Sequence, residues 1–349
     1  MNRTFDNLLK AVACTLALSA ATAVEARVVV RLGTVAPKGS SWELLMRRMG
    51  ADWGRATDGE VRLRIYAGGT VGDEGEMIRK MRIGQLQAAA ISNAGLAEID
   101  PRAYALMLPM MFASYEEWDH VRREVNPILE RNLAEKGFIV LTWSDVGWVY
   151  FFTKAPMRSP TDLASMRLAG SHTETRSIDI FKWAGFNPVP ISTVDMMTGF
   201  QTGLIDSTYA PLIFAEGSQL YRQASNMTDM KWAPLQGAVV MHESGWKKLT
   251  PTQQREVLRI TREVGEELRE SNRQQEQRSL DAMTKRGLEV IDINDDILGE
   301  WRAVAEKAYP RVRDDLVPPA IFDRVRELRD EFRAQQAQQA QQPQQANQP

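Results

Sequence analysis

The sequence predicts an α/β protein of two lobes that close as a clamshell, with mixed sheets, hinge crossings and a long bridging helix. Residues 28–91 alternate strand-like and helix-like segments as β-α-β-α-β, the order of an open, mostly parallel sheet. Residues 162–212 repeat the alternation, with Pro188 and Pro190 punctuating one connection and Gly203 closing a helix. From Thr250-Pro251, an N-cap followed by proline at the first helical position, no breaker occurs until Gly287. That gives a helix of roughly 36 residues, about 54 Å long.

Each element has its own signal. Arg27–Thr34 has strand composition and leads through Pro37-Lys38-Gly39 to the N-cap pair Ser40-Ser41. Trp42, Leu45, Met46, Met49 and Trp53 then recur on one face of a helix that Gly59 closes. Val61–Tyr66 alternates as a strand. Asp73 and Glu76 resemble a capping box for a helix carrying Met77, Ile78 and Met81, which ends at Gly84 before the short buried strand Leu86–Ile91. Ser114 and Glu117 start a helix reaching about Ala134. Phe138–Trp143 and Trp148–Thr153 read as two strands separated by a break at Ser144-Asp145. Gln236–Met241 reads as a strand returning toward the first unit. In the long helix, Arg269–Ser279 is too polar for burial in one domain, which suits a helix lying outside both lobes. A strand at Glu289–Ile293 and helices around 296–313 and 319–333 follow.

The ends carry other information. Arg3 and Lys10 precede the apolar run Ala11–Ala23, too short to span a bilayer, and residues 1–26 read as a signal peptide cut after Ala26, with Ala23 as the other available site. Residues 334–349 are nearly all Gln and Ala with two prolines and are expected to be a disordered tail. Cys14, the only cysteine, falls in the leader, so the mature chain is expected to lack disulfides, thiol nucleophiles and cysteine-bound zinc. The formal net charge is −2, with no basic excess pointing to nucleic acid. The expected organisation is a first lobe of 27–148 plus 237–268 and a second of 149–236 plus 287–333, with the helix 251–286 spanning both. A ligand cleft is expected between the lobes, beyond the carboxyl ends of the strands.

Several segments resemble the solute-binding proteins of TRAP transporters, the DctP type. They are LGTVAPKGSSW (32–42), LRIYAGGTVGDEGEMIRKMRIGQLQAAAIS (63–92), LPMMFASYEEWDHV (108–121), the 162–212 unit and the "LT" entry to the long helix. The resemblance covers about residues 27–330. It implies a periplasmic-binding-protein fold, no enzymatic activity, no cofactor or metal, a periplasmic location and delivery of a small organic ligand to a TRAP-type permease in the inner membrane. It also implies polar anchors that this chain lacks. The position of the family's carboxylate-clamping arginine is Ala169, a second arginine position is Val149, and an asparagine position is Ala210.

Aromatic residues crowd the same segments: Trp143, Trp148, Tyr150, Phe151, Phe152, Tyr209, Phe214 and Trp232. Trp148, Tyr150 and Tyr209 are the expected ligand-facing aromatics, with Trp232 beside them. Ser92, Asn93, Gln236 and His172 are the polar candidates. Without a counter-ion, burying a carboxylate costs several kcal/mol, so the expected ligand is neutral, largely apolar or aromatic. Two other readings stand beside this one. One is a carrier or sensor that hands a hydrophobic ligand to a periplasmic partner protein. The other is a conventional organic-acid binder using Arg167 or another cation. His120, His172 and His242 are too scattered for a metal triad, and no G-x-S-x-G, H-E-x-x-H or G-K-[ST] motif occurs.

Overall fold

The computed structural model describes residues 27–173 and 175–345; the expected signal peptide lies outside the described residues. β1 (Val28–Thr34) leads into α1 (Ser41–Ala56), whose cap Ser40 accepts a hydrogen bond from the Glu43 amide, and Trp42, Met46, Met49 and Trp53 are buried along its inner face. β2 (Val61–Tyr66) pairs parallel with β1. The Asp73 carboxylate caps α2 (Glu74–Arg82), and β3 (Ala88–Ser92) returns parallel to β1 and runs into α3 (Asn93–Ile99). After a 3₁₀ turn at Pro101–Leu106, α4 (Tyr115–Glu135) precedes β4 (Phe138–Thr153).

The second unit is α5 (Pro160–Ala164), β5 (Arg167–Ser171), α6 (Thr175–Trp183), β6 (Asn187–Ile191), α7 (Met196–Thr202), β7 (Ser207–Pro211) and α8 (Leu212–Gly217). β5 pairs parallel with both β6 and β7. β8 (Asn226–Thr228) and β9 (Ala233–His242) come next, and β9 runs antiparallel to β3 and to β4. The chain ends with α9 (Glu243–Trp246), α10 (Pro251–Thr284), β10 (Glu289–Ile291), α11 (Asp295–Arg311) and α12 (Pro319–Gln345).

The strand order β2-β1-β3-β9-β4-β7-β5-β6 makes one mixed sheet of two parallel halves joined through antiparallel β9 and β4, with β8 and β10 branching from β4. Each half is packed on both faces. Val30, Leu32 and Trp53 meet Val257 and Val264 on one side of the β1–β3 half, and Met77 and Met81 pack below Ala89 and Val240 on the other. Phe151, Leu168 and Trp301 form a core in the β5–β7 half, and the largest cluster ties α4 and α12 to β4. α10 packs on α1, on β4 and on α8, so it touches both halves.

Three sequence expectations change here. The break at Ser144-Asp145 is absent: β4 passes straight through, with register shifts against β9 between Val140 and Thr142 and between Asp145 and Gly147. A bulge of this kind bends a strand without ending it. Gly147 is required there, because its φ is +121° and a Cβ would come within 2.5 Å of Glu276 Oε1.

The polar middle of α10 is solvated on one face only, at Glu270, Gln274, Gln277 and Arg278. Asn272 and Ser279 are buried, and Asn272 Nδ2 donates to the Asp145 carbonyl at 2.6 Å. The Asp145 carboxylate, fully buried, pairs with Arg122 and accepts from Arg273 Nε at 2.6 Å. Arg273 also holds Asp119 in a two-pronged contact of 2.6 and 2.8 Å. Glu276 Oε1 accepts from the Trp148 amide and the Tyr115 hydroxyl, both at 2.7 Å. A charge run looks solvent-facing in a sequence, but here Asn272, Arg273 and Glu276 turn inward and find partners on β4 and α4.

Finally, the chain from Ala334, expected to be disordered, continues α12 to Gln345, with Pro343 just before the end. Ile321, Phe322, Val325 and Leu328 anchor the first turns, and a Gln/Ala run needs only to propagate a helix already nucleated.

Candidate functional site

The carboxyl ends of the parallel strands in the two halves converge on a cavity of about 210 Å³. From the first half it is walled by the β1 exit (Thr34–Pro37), Ser40 and Trp42, the start of α2 (Asp73–Gly75), the end of β3 and the exposed side of α3. From the second half come Ala169–Ser171, Thr173, Ile191, Met196, Thr208–Pro211 and Phe214, with Val146 and Leu235 at the floor where β4 and β9 cross. This is the crevice at which open α/β sheets take their ligands.

The walls are largely hydrocarbon, and among the described residues the only charged ones lining them are acidic: Asp73, Glu74 and Glu98. Glu74 is tied down by Ser92, whose amide and hydroxyl both donate to it at 2.7 Å. Glu98 accepts from Thr173 Oγ1 at 2.6 Å, and Asp73 Oδ2 accepts from Ser192 Oγ at 3.1 Å, so two hydrogen bonds cross from one half to the other at the mouth. Burial raises the pKa of Glu98; the Thr173 hydrogen bond opposes that shift, the Asp73 charge adds to it, and the charges of His172 and Arg82 oppose it. Two glycines make room for the carboxylates. A Cβ on Gly75 would meet Glu98 Oε2 at 2.6 Å, and one on Gly95 would meet Glu74 Oε2 at 2.5 Å.

Ala169, Ala210, Tyr209 and Ser92 line the cleft. Val149 and Trp232 do not; with Tyr209 they line an adjoining chamber behind it. Trp148 and Tyr150 are corrections. Both are buried in the core beneath α4, where the Trp148 ring lies 5.5 Å from that of Tyr115, and burial raises the Tyr150 phenol pKa. Successive side chains of a strand point to opposite faces, so with Val149 and Phe151 in the cluster around Leu168 and Trp301, Trp148 and Tyr150 point to the other face of the sheet, into the cluster that α4 covers.

Asn93 and Gln236 are also corrections, because they satisfy local needs and line no cavity. Asn93 donates to the Ala103 carbonyl at 2.8 Å and accepts from the Gln236 amide at 2.8 Å, while the Gln236 side chain is engaged by Asn126 at 2.9 Å. His172 lies at the rim, half-exposed, with Nε2 3.6 Å from Asp73 Oδ2, and does not wall the cleft. Arg167 sits at the opposite end of β5, where Nε and Nη2 both bind Asp206 Oδ2, at 3.0 and 2.8 Å. It cannot clamp a ligand in the cleft.

The cleft carboxylates escaped sequence reading. Asp73 and Glu74 read only as capping charges, and Glu98 carried no signal beyond its place three residues after Gly95. Among the described residues no His/Cys/Asp/Glu group is arranged to hold a metal, and no helix is long and apolar enough to cross a membrane.

The pattern of the bacterial extracellular solute-binding proteins of family 7, DctP, fits residues 32–315, which span both halves and the cleft between them. The chain belongs to this family. Among curated DctP-type relatives, the 2,3-diketo-L-gulonate-binding periplasmic protein YiaO of Escherichia coli is 25% identical over 67% of this chain and 72% of its own. The sialic acid-binding periplasmic protein SiaP of Vibrio cholerae is 22% identical over 79% and 86%. The fold matches solved TRAP-type structures. The sugar acid binding protein DctPAm of Advenella mimigardefordensis, in complex with galactonate, superposes with a TM-score of 0.82 at 16% identity, covering 88% of this chain and 99% of that one. A solute-binding protein from Sulfurospirillum deleyianum with bound succinate gives 0.80 at 20% identity, over 87% and 98%. The family is one of substrate-binding transport components, and this chain is a solute-binding protein of that kind.

Proposed function

We propose that this protein is exported to the periplasm, captures a small, largely apolar or aromatic ligand without a free carboxylate, and delivers it to a TRAP-type permease in the inner membrane. The observation that carries the ligand class is the charge of the cleft: three carboxylates and no lysine or arginine among the described residues that line it. The relatives named above take sugar acids or succinate, and such an anion needs a charge-assisted partner to offset its desolvation. Here it would meet hydrocarbon and like charge. Ala169 and Ala210, where the family resemblance implies an arginine and an asparagine, supply only methyl groups to the wall.

The test is calorimetry with 3-phenylpropan-1-ol and 3-phenylpropanoate, alongside native mass spectrometry of whatever co-purifies. The alcohol is expected to bind more tightly than the acid, and the extracted compound to be amphipathic or aromatic without a free carboxylate. Submicromolar binding of succinate or galacturonate would overturn the reading.

A further inference from the structure

Behind the cleft lies a second chamber of about 180 Å³. The two spaces share five lining residues, Ser92, Ala94, Tyr209, Pro211 and Leu235, so one layer of side chains belongs to both. Beyond that layer the chamber is bounded by Val149 and Trp232, by Phe181 and Phe186 around α6, and by Ala305 and Ala308 of α11. Among the described residues its walls carry no charged side chain. Of its hydroxyls, that of Tyr309 already donates to the Pro109 carbonyl at 2.7 Å.

Such a space needs explaining. Protein cores are packed to the density of organic crystals, and an unfilled space loses the dispersion contacts of its lining. Polar cavities of this size fill with water, but a water needs two to four polar partners, and these walls offer few. The established comparison is an engineered apolar cavity of about 150 Å³, which stays dry and binds benzene. The chamber here is somewhat larger, has the same kind of lining, is partly open where that cavity is enclosed, and shares a wall with a ligand site. Tyr209 marks the boundary, with its ring stacked on Phe181 at 5.9 Å and set edge-on to Phe151 at 6.2 Å.

We infer that this chamber is a second subsite, which takes an aromatic ring or short alkyl tail of a ligand whose polar end stays in the cleft. The ligand is then bipartite, longer than the cleft alone accommodates, with its hydrocarbon part inserted past Tyr209 between α6 and α11. This inference rests on the reading of the cleft as a site for a largely apolar ligand and adds where the apolar part goes.

Two measurements on the mature, full-length protein test it. In crystals pressurised with xenon, density is expected between Phe181, Trp232 and Ala308, and it should vanish in Ala308→Phe, which fills the chamber. By calorimetry, 3-phenylpropan-1-ol should bind about tenfold or more tighter than propan-1-ol, since the added ring leaves water for a hydrocarbon wall. In Ala308→Phe that ratio should fall below about threefold. If Ala308→Phe misfolds by circular dichroism, Ala184→Leu intrudes from the α6 side and should lower the same ratio.

A chamber without xenon, or a ratio unchanged by both substitutions, would overturn the subsite and leave the charge reading of the cleft intact. Conversely, 3-phenylpropanoate binding better than the alcohol, with the phenyl gain still lost in Ala308→Phe, would overturn the charge reading and leave the subsite standing.

Discussion

The crossing of β4 with α10 and the ligand cleft both bury carboxylates, and they treat them in opposite ways. At the crossing, Asp145 is fully enclosed and shared between Arg122 and Arg273, and Asp119 is gripped by the same two guanidiniums. In the cleft, Asp73, Glu74 and Glu98 accept from hydroxyls and backbone amides, with no guanidinium or ammonium among the described lining residues. Burial opposes ionisation of Asp119, but hydrogen bonding to Arg273 and the charges of Arg122, Arg273 and Arg269 outweigh it and hold the carboxyl below the ordinary range. Glu98, without such partners, moves the other way. The chain does have buried arginine–carboxylate chemistry, but it places it where the sheet bends and leaves it out of the cleft. Charge at the crossing fixes structure; in the cleft, on the proposed function, the acidic wall discriminates between ligands.

The contrast breaks most severely when the crossing loses a cation. Arg122→Ala would leave Asp145 buried with Arg273 alone, and removing one member of a buried ion pair costs about 3 kcal/mol or more. Urea denaturation should show a loss of that size, and a loss below about 1 kcal/mol would mean that the network is not holding the bend. A cation added to the cleft should have the reverse effect on binding. Ala169→Arg puts a guanidinium into the wall, and succinate affinity by calorimetry should rise about tenfold or more as 3-phenylpropan-1-ol binding weakens. If succinate binding does not change, the missing arginine is not what excludes acids.

A smaller effect is expected from Glu276, the one carboxylate at the crossing whose pKa is raised. Burial is the main cause, opposed by the Tyr115 and Trp148 hydrogen bonds and by Lys231, and reinforced by Asp145. A carboxyl raised on folding binds more protons in the native state. Its contribution to stability is therefore complete below the ordinary glutamate pKa and is lost as pH rises through the raised value. Asp119 works oppositely, losing its contribution as pH falls through its lowered value. In Glu276→Gln the loss on the alkaline side of the ordinary glutamate value should disappear, so urea midpoints measured upward from about pH 4.5 should decline less steeply than in the parent. Parallel curves would mean that Glu276 ionises in the folded protein as it does unfolded.

These two regions also show how much the sequence disclosed. The alternation of strand and helix was legible because the core faces repeat cleanly: Trp42, Met46, Met49 and Trp53 in α1 are buried as their spacing requires. Ala169 and Ala210 could be placed in the cleft by the positions the family resemblance gives them, and Tyr209 and Ser92 because they stand within two residues of a strand's carboxyl end. Trp148 and Tyr150 could not be resolved. Period-two alternation separates them from Val149 but does not say which face of β4 meets the ligand. The passage of β4 through Ser144–Gly147 was hidden because its support comes from β9 and α10, both distant in sequence. Asn93 and Gln236 looked available because nothing local shows that they bind one another.

Glu98 gives the finest test of the cleft side of the contrast. It lies against Gly75, accepts from Thr173 across the mouth, and is partly buried without a cation among the residues that share its wall. When ionised it adds to the repulsion any ligand carboxylate meets, but solvent at the mouth screens that repulsion, so a single charge should contribute only a fraction of a kcal/mol up to about 1. Glu98→Gln keeps the side-chain size and an oxygen able to accept from Thr173 while removing the charge. The preference for 3-phenylpropan-1-ol over 3-phenylpropanoate should therefore shrink about two- to fivefold near neutral pH, and the difference between parent and variant should close as pH falls and Glu98 is protonated. Because burial raises the pKa of this group, that closure should begin at a higher pH than an ordinary glutamate would give. An unchanged preference across the pH range would assign the discrimination to Asp73 and Glu74 or to the hydrocarbon walls, and would separate the effect of missing cations from that of the acids present.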